Sequence, residues 1–140
     1  MMDERERLAE IQAILDELAS RAAEGAVILV EGRRDKASLE ELGVKGNIVM
    51  TSQKQLFNLA ECVSRQHKDI IILSDWDVRG DEVARSAEAF LKSNCARPDV
   101  EIRRRLRLLT QKEIMDVESL YGYMERLKSQ CITKQAGTRR

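Results

Sequence analysis

Apolar residues recur every three or four positions from Leu8 through Ile11, Ile14 and Leu15 to Leu18, which predicts an amphipathic helix over residues 4–23, ended by Gly25. The run AVILV at 26–30 is continuous and β-branched, as expected of a strand covered on both faces. Ala37, Leu39 and Leu42 then mark a helix that stops at Gly43, and NIVM at 47–50 reads as a second strand. Ser52 offers an N-cap for a helix reaching His67, with Leu56, Leu59, Ala60 and Val63 inward. DIIILS at 69–74 is the clearest strand, and residues 80–94 follow as a helix with Val83, Ala87, Phe90 and Leu91 on one side. After Pro98, VEIRRRLRLL at 100–109 reads as a fourth strand, and beyond Thr110 the pattern is helical through Val117, Leu120, Tyr121, Met124 and Leu127. Strands alternating with helices over such short connections predict a Rossmann-like three-layer α/β domain with a four-stranded, mainly parallel sheet. The N-terminal helix (1–23) packs on this domain (24–128), and residues 129–140 are expected to be a flexible polar tail.

Composition narrows the class. The chain has 140 residues, 43% of them hydrophobic, enough for one domain with a real core and too apolar for disorder. No apolar run approaches the roughly 20 residues that span a bilayer, so no membrane role is expected. Lys plus Arg and Asp plus Glu both total 24, so any polyanion surface must be a local patch. Three scattered cysteines, Cys62, Cys95 and Cys131, supply neither a disulfide framework nor a zinc motif, and the start MMDERE carries no signal peptide; a cytoplasmic setting is expected.

In parallel α/β sheets ligands sit beyond the carboxyl ends of the strands. Two such ends are acidic: Val30 runs into Glu31-Gly32-Arg33-Arg34-Asp35, and Ser74 into Asp75-Trp76-Asp77-Val78-Arg79-Gly80. In extended chain Asp75 and Asp77 share a face, about 6–7 Å apart along it. With Glu31 nearby, this oxygen-only set suits magnesium, with manganese as a substitute, and leaves positions for substrate phosphate. Single acids at helix starts are ordinary capping residues; three converging from two strand ends would repel without a cation. The sole histidine, His67, reads as a solvated residue at a helix end.

Glu31-Gly32 followed by Asp75-x-Asp77-x-x-Gly80 resembles the Toprim domain shared by primases, topoisomerases and small 5S-rRNA-maturing nucleases, over most of residues 24–110. VEGRRD, LSDWDVRG and KEIMDVE together are similar to the small stand-alone archaeal Toprim proteins. The resemblance implies magnesium-dependent phosphoryl or nucleotidyl transfer on nucleic acid, with Glu31 as general acid or base and Asp75 and Asp77 as metal ligands. The chain departs from the topoisomerase pattern at Asp81, where a glutamate is common, and it has no tyrosine-bearing cleavage domain. Gly32 and Gly80 would let backbone approach a ligand.

Basic residues supply the remaining candidates. Arg33, Arg34 and Arg79 flank the acids, and on the expected fourth strand Arg103, Arg105 and Arg107 form one row that either tracks phosphates or blunts an edge, while Arg104 has inward parity. Lys112 could reach a phosphate, and Glu113 or Asp116 could add a carboxylate, although both also suit a helix start. Trp76, of opposite parity to the aspartates, is expected to pack rather than stack on a base. With aromatics at 4%, backbone contact is the expected mode of nucleic-acid binding. RNA processing by a nuclease-type activity is the first expectation, with DNA open; a metal-assisted, non-catalytic binding module of a larger assembly is the alternative. A receiver-like signalling domain is disfavoured by Glu31-Gly32. Protein partners and self-association are left open.

Overall fold

The computed structural model describes residues 2–138, the last five as backbone only. Helix α1 (Glu4–Ala23) is capped by Asp3, whose carboxylate accepts the Glu6 amide at 2.9 Å, and the chain leaves it through Gly25 at φ +103°, a conformation open to glycine. Strand β1 (Val27–Val30), helix α2 (Arg33–Glu41), strand β2 (Asn47–Met50), helix α3 (Leu56–Gln66), strand β3 (Asp69–Ile72), helix α4 (Val78–Ser93), strand β4 (Arg97–Asp99), helix α5 (Glu101–Thr110) and helix α6 (Leu120–Thr138) follow. The sheet is parallel throughout in the order β2-β1-β3-β4.

Alternate residues of the two inner strands feed two separate cores. Ile28, Val30, Ile71 and Leu73 join Ile11, Leu18, Leu39, Leu106 and Met124 from α1, α2, α5 and α6. Val27, Leu29, Ile70 and Ile72 meet Leu59, Ala60, Ala87 and Leu91 from α3 and α4. Both faces are therefore covered, which is why these strands are apolar throughout Val27–Val30 and Ile70–Ile72. Arg21 of α1 bridges Asp69, at 2.7 Å, and Asp99, tying the start of β3 to the end of β4.

The expected fourth strand is corrected. The strand is the three-residue β4, and residues 101–110 form α5. Ile102, Leu106 and Thr110 are buried at a spacing of four, whereas Leu108, which an alternating strand would bury, is 58% exposed. The Asp99 carboxylate accepts the Glu101 amide at 2.7 Å and starts the turn. Pro98 is tolerated because β4 is an edge strand. Arg104 points to solvent and pairs with Glu101 one turn earlier, so it has no inward parity to explain.

Three smaller expectations also shift. Residues 111–119 are irregular, and the helix expected there begins at Leu120. Ser52 lies in a short 3-10 turn, with α3 starting only at Leu56. Residues 129–138 continue α6 where a tail was expected; residues 139–140 lie outside the described residues.

Because α1 contributes fully buried side chains to the larger core, it is expected to unfold together with it. Leu18→Ala is expected to lower stability by about 3 kcal/mol while unfolding remains a single transition in urea. Parental stability, or a separate early transition, would make α1 an appendage.

Candidate metal and nucleic-acid site

The direction in which strands are added reverses between β1 and β3: α2 carries the chain from β1 outward to β2, and α4 carries it from β3 outward to β4. The crevice beyond the carboxyl ends of β1 and β3 is the topological switch point, where such sheets bind ligands. Glu31 follows β1 and Asp75 follows β3, and the Asp75 amide donates to Glu31 Oε2 at 2.8 Å.

Each of the three acids is held through one oxygen by a main-chain amide. Besides the Glu31 bond, Asp75 Oδ1 accepts from Val117 at 3.0 Å, and Asp77 Oδ1 accepts from Gly80 at 2.6 Å as the N-cap of α4. The helix thus starts before Gly80, which lies inside its first turn. What requires glycine there is proximity: a Cβ would stand 1.7 Å from the Asp75 carbonyl oxygen. Ser74 Oγ donates to the Gly80 carbonyl at 2.7 Å, closing the turn from the strand side.

Arg103 is buried, not part of an exposed row. Its Nε donates to the Ser74 carbonyl at 3.0 Å, and one terminal nitrogen reaches the Asp75 carbonyl at 2.6 Å and Asp81 at 2.7 Å. Arg107, one turn further on α5, shares Asp81 at 2.8 Å, and the Arg103 hydrogen bond leads the effects that lower the Asp81 pKa. Arg105 turns the other way to Glu17 of α1 at 3.0 Å. A helix turns successive residues by about 100°, so the three arginines cannot share a face as they would on a strand. Trp76 is buried; its indole donates to the Ile114 carbonyl at 2.8 Å and its amide to that of Met115 at 2.9 Å. It packs, as its parity suggested.

Arg33, Arg79 and Lys112 are exposed, with no carboxylate partner among the described residues, while Arg34 pairs with Glu118 at 3.3 Å. The Gly32 amide is used internally, donating to Asp35 at 2.9 Å. Sequence reasoning passed over Asp35, the clamp role of Arg103 and the docking of 111–119. Only Asp35 left a local signal, an acid three residues after the glycine that precedes a helix.

Burial pushes the Asp75 carboxyl up to about 7; the Val117 amide opposes this, and the nearby Asp35 and Glu31 charges add to it. Burial likewise raises Asp35, against the Gly32 and Glu118 amides. Among the described residues, no three His, Cys, Asp or Glu side chains converge as a ready-made ion site. The donors nevertheless fit a hard divalent cation in chemistry: all are oxygens, each acid has a second oxygen beyond its amide bond, and the strain on Asp75 is the kind a cation relieves.

The Toprim domain model matches residues 26–105, which hold all three acids. A UPF0292 protein of Methanosarcina barkeri is 44% identical over 89% of this chain and 87% of its own. One from Pyrococcus horikoshii is 38% identical over 84% and 86%. This chain is a Toprim-domain protein of the UPF0292 family. A solved structure of a protein from Aquifex aeolicus superposes with a TM-score of 0.66 at 26% identity, covering 76% of this chain and 94% of that one. Toprim domains typically bind divalent metal and serve nucleic-acid transactions, the coarse function the family carries. Among the described residues, no helix of this Toprim protein is long and apolar enough to cross a membrane.

Two outcomes follow. Gly80→Ala should cost at least about 3 kcal/mol, because the atom it meets is backbone; a melting temperature near the parental one would show that the turn can relax. A folded-state pKa of about 7 against the ordinary 3.8 means folding favours neutral Asp75. Its contribution is therefore present below about pH 4 and lost as pH rises through about 7. In chelator, melts across that range should fall more steeply for the parent than for Asp75→Asn; parallel slopes would remove Asp75 as the titrating group.

Proposed function

We propose that this Toprim protein carries out magnesium-dependent phosphoryl or nucleotidyl transfer on nucleic acid, of nuclease type, with RNA the first substrate and DNA the second. One observation carries the reading: Glu31 and Asp75, from two different strands, meet across the switch crevice through the 2.8 Å bond from the Asp75 amide to Glu31. A proton-transferring acid thereby stands beside a metal-ligand candidate.

Asp75, Asp77 and Glu31 are the residues that would hold the cation. When bound, magnesium would supply charge neutralisation and an activated water or alkoxide at the phosphate. The rest falls to the chain. The Asp75 amide orients Glu31 through Oε2, leaving the other oxygen to take or give a proton. Arg33, Arg79 and Lys112, without carboxylate partners among the described residues, bind flanking phosphates and set the strand's path. Arg103 and Arg107, committed to backbone and Asp81, hold the turn and are not offered to substrate. Arg105 is likewise committed, to Glu17.

End-labelled single-stranded and duplex RNA and DNA, incubated with magnesium, manganese or chelator, test the proposal. Metal-dependent cleavage is expected, lowered by roughly 10² or more in Glu31→Gln. Asp75→Asn and Asp77→Asn should weaken manganese binding by calorimetry. Asparagine caps helices about as well as aspartate, so the second variant should keep α4 intact. Metal-dependent binding without cleavage would favour a non-catalytic module; manganese affinity unchanged in both aspartate variants would place the metal elsewhere.

A further inference from the structure

Among the described residues the large exposed apolar side chains are Phe57, Val78, Leu108, Met115 and Ile132. Three have apolar company. Phe57 meets Phe90 edge to face with ring centroids 5.4 Å apart, Leu108 lies along the groove between α1 and α5, and Ile132 along that between α1 and α6. The other two stand at the acidic turn. Val78, 76% exposed, follows Asp77 directly, and Met115, 52% exposed, lies opposite Trp76, whose amide donates to the Met115 carbonyl at 2.9 Å.

Both positions are fixed by main-chain bonds. Val78 is the first residue of α4, which Asp77 caps through the Gly80 amide at 2.6 Å. Met115 sits between the Ile114 carbonyl, held by the Trp76 indole at 2.8 Å, and the Val117 amide, bound to Asp75 Oδ1 at 3.0 Å. Neither residue can swing away from the acids. The fold has no need of apolar side chains here: a first helical turn favours polar and acidic residues, and Ile114 and Val117 already pack this segment on the core. Single exposed apolar residues are ordinary, but these two reach one rim from separate segments, and Met115 lies beyond the Toprim match at 26–105.

Their surroundings indicate the occupant. The rim is otherwise charged, with Asp77, Arg79, Lys112, Glu113 and Asp116. Two side chains are far too little for the apolar centre of a protein interface, which takes about 800 Å² from each partner, but they suffice for one nucleobase. Arg79, next to Val78, and Lys112, three residues before Met115, are exposed cations without carboxylate partners among the described residues. Cations for phosphate beside apolar surface for a base face is the pattern a single strand requires. In a duplex the base faces are covered by stacking and out of reach.

We propose that Val78 and Met115 are specificity-determining residues: they contact one unpaired base next to the phosphate at the acids and so select single-stranded nucleic acid. The base contact stands on the placement of the two side chains; its position next to a reacting phosphate rests on the function proposed above.

Fluorescence anisotropy in the Glu31→Gln background with magnesium, which keeps the strand whole, tests it. The probes are labelled single-stranded RNA and DNA, the DNA rebuilt from abasic units, and a blunt duplex. Val78→Thr combined with Met115→Gln keeps side-chain size and removes the apolar surface. It should weaken binding of the single strands about tenfold, the scale of burying roughly half of each side chain, and change binding of the abasic strand and the duplex by less than about twofold. Unchanged affinity for the single strands, or an equal loss on all the probes, would overturn the proposal. Should the double variant not fold, the two single variants give the same comparison, each with a smaller loss. Selective loss on the single strands in a protein whose parent cleaves nothing would uphold the base contact and overturn the catalytic reading, whereas cleavage by a parent whose variants bind every probe equally well would overturn the base contact alone.

Discussion

The main chain at Asp75 is the junction on which the rest of the site depends. Its amide faces β1 and holds Glu31, and its carbonyl faces α5 and is held by Arg103. The Cα of Gly80 closes over the same carbonyl so tightly that no side chain fits. Glu31 and Arg103, distant in sequence, therefore converge with Gly80 on the backbone of one residue, and the two aspartates are placed by backbone geometry rather than by flexible side chains. Carboxylates held this way need little reorganisation when charge arrives.

The electrostatics divide along the same line. On the α5 side, Arg103 and Arg107 share Asp81, so positive charge buried behind the turn is matched within hydrogen-bonding distance. On the crevice side, Asp35 and Asp75 stand near Glu31 and near each other, charges that oppose one another, and backbone amides offset them. Burying carboxylates in this way stores a cost that a cation can relieve. A protein selected for stability alone would have little reason to keep that arrangement at a switch point.

The elements outside the Toprim match complete the fold physically. The sheet has strands of three or four residues, too little to bury a core unaided, and α1 and α6 supply much of the layer on one face. The segment between α5 and α6 then uses its buried Ile114 and Val117 to sit against that layer while its amides and carbonyls reach the acidic turns. Core packing and site geometry are in this way set by the same few residues.

Much of this was determined by the sequence alone. The unbroken apolar runs at 26–30 and 69–74 required strands buried on both faces, their spacing required parallel crossovers, and acids directly after such strands marked the ligand-binding edge. The placement of Glu31, Asp75 and Asp77 beyond the sheet was legible because strand ends in a parallel sheet have one place to go. Residues 100–109 were not, because Ile102 and Leu106, four apart, satisfy a strand's period of two and a helix's period of 3.6 equally. Only packing against α1 and the sheet, which buries Arg103 and exposes Leu108, chose the helix. That choice turned the expected row of arginines on one strand face into a clamp on the turn, a partner for α1 and a shared partner for Asp81. The clamp and the bond from the Val117 amide to Asp75 were illegible for the same reason: they join residues 22 to 42 positions apart, with no local pattern to announce them, and they form only once the layers have closed.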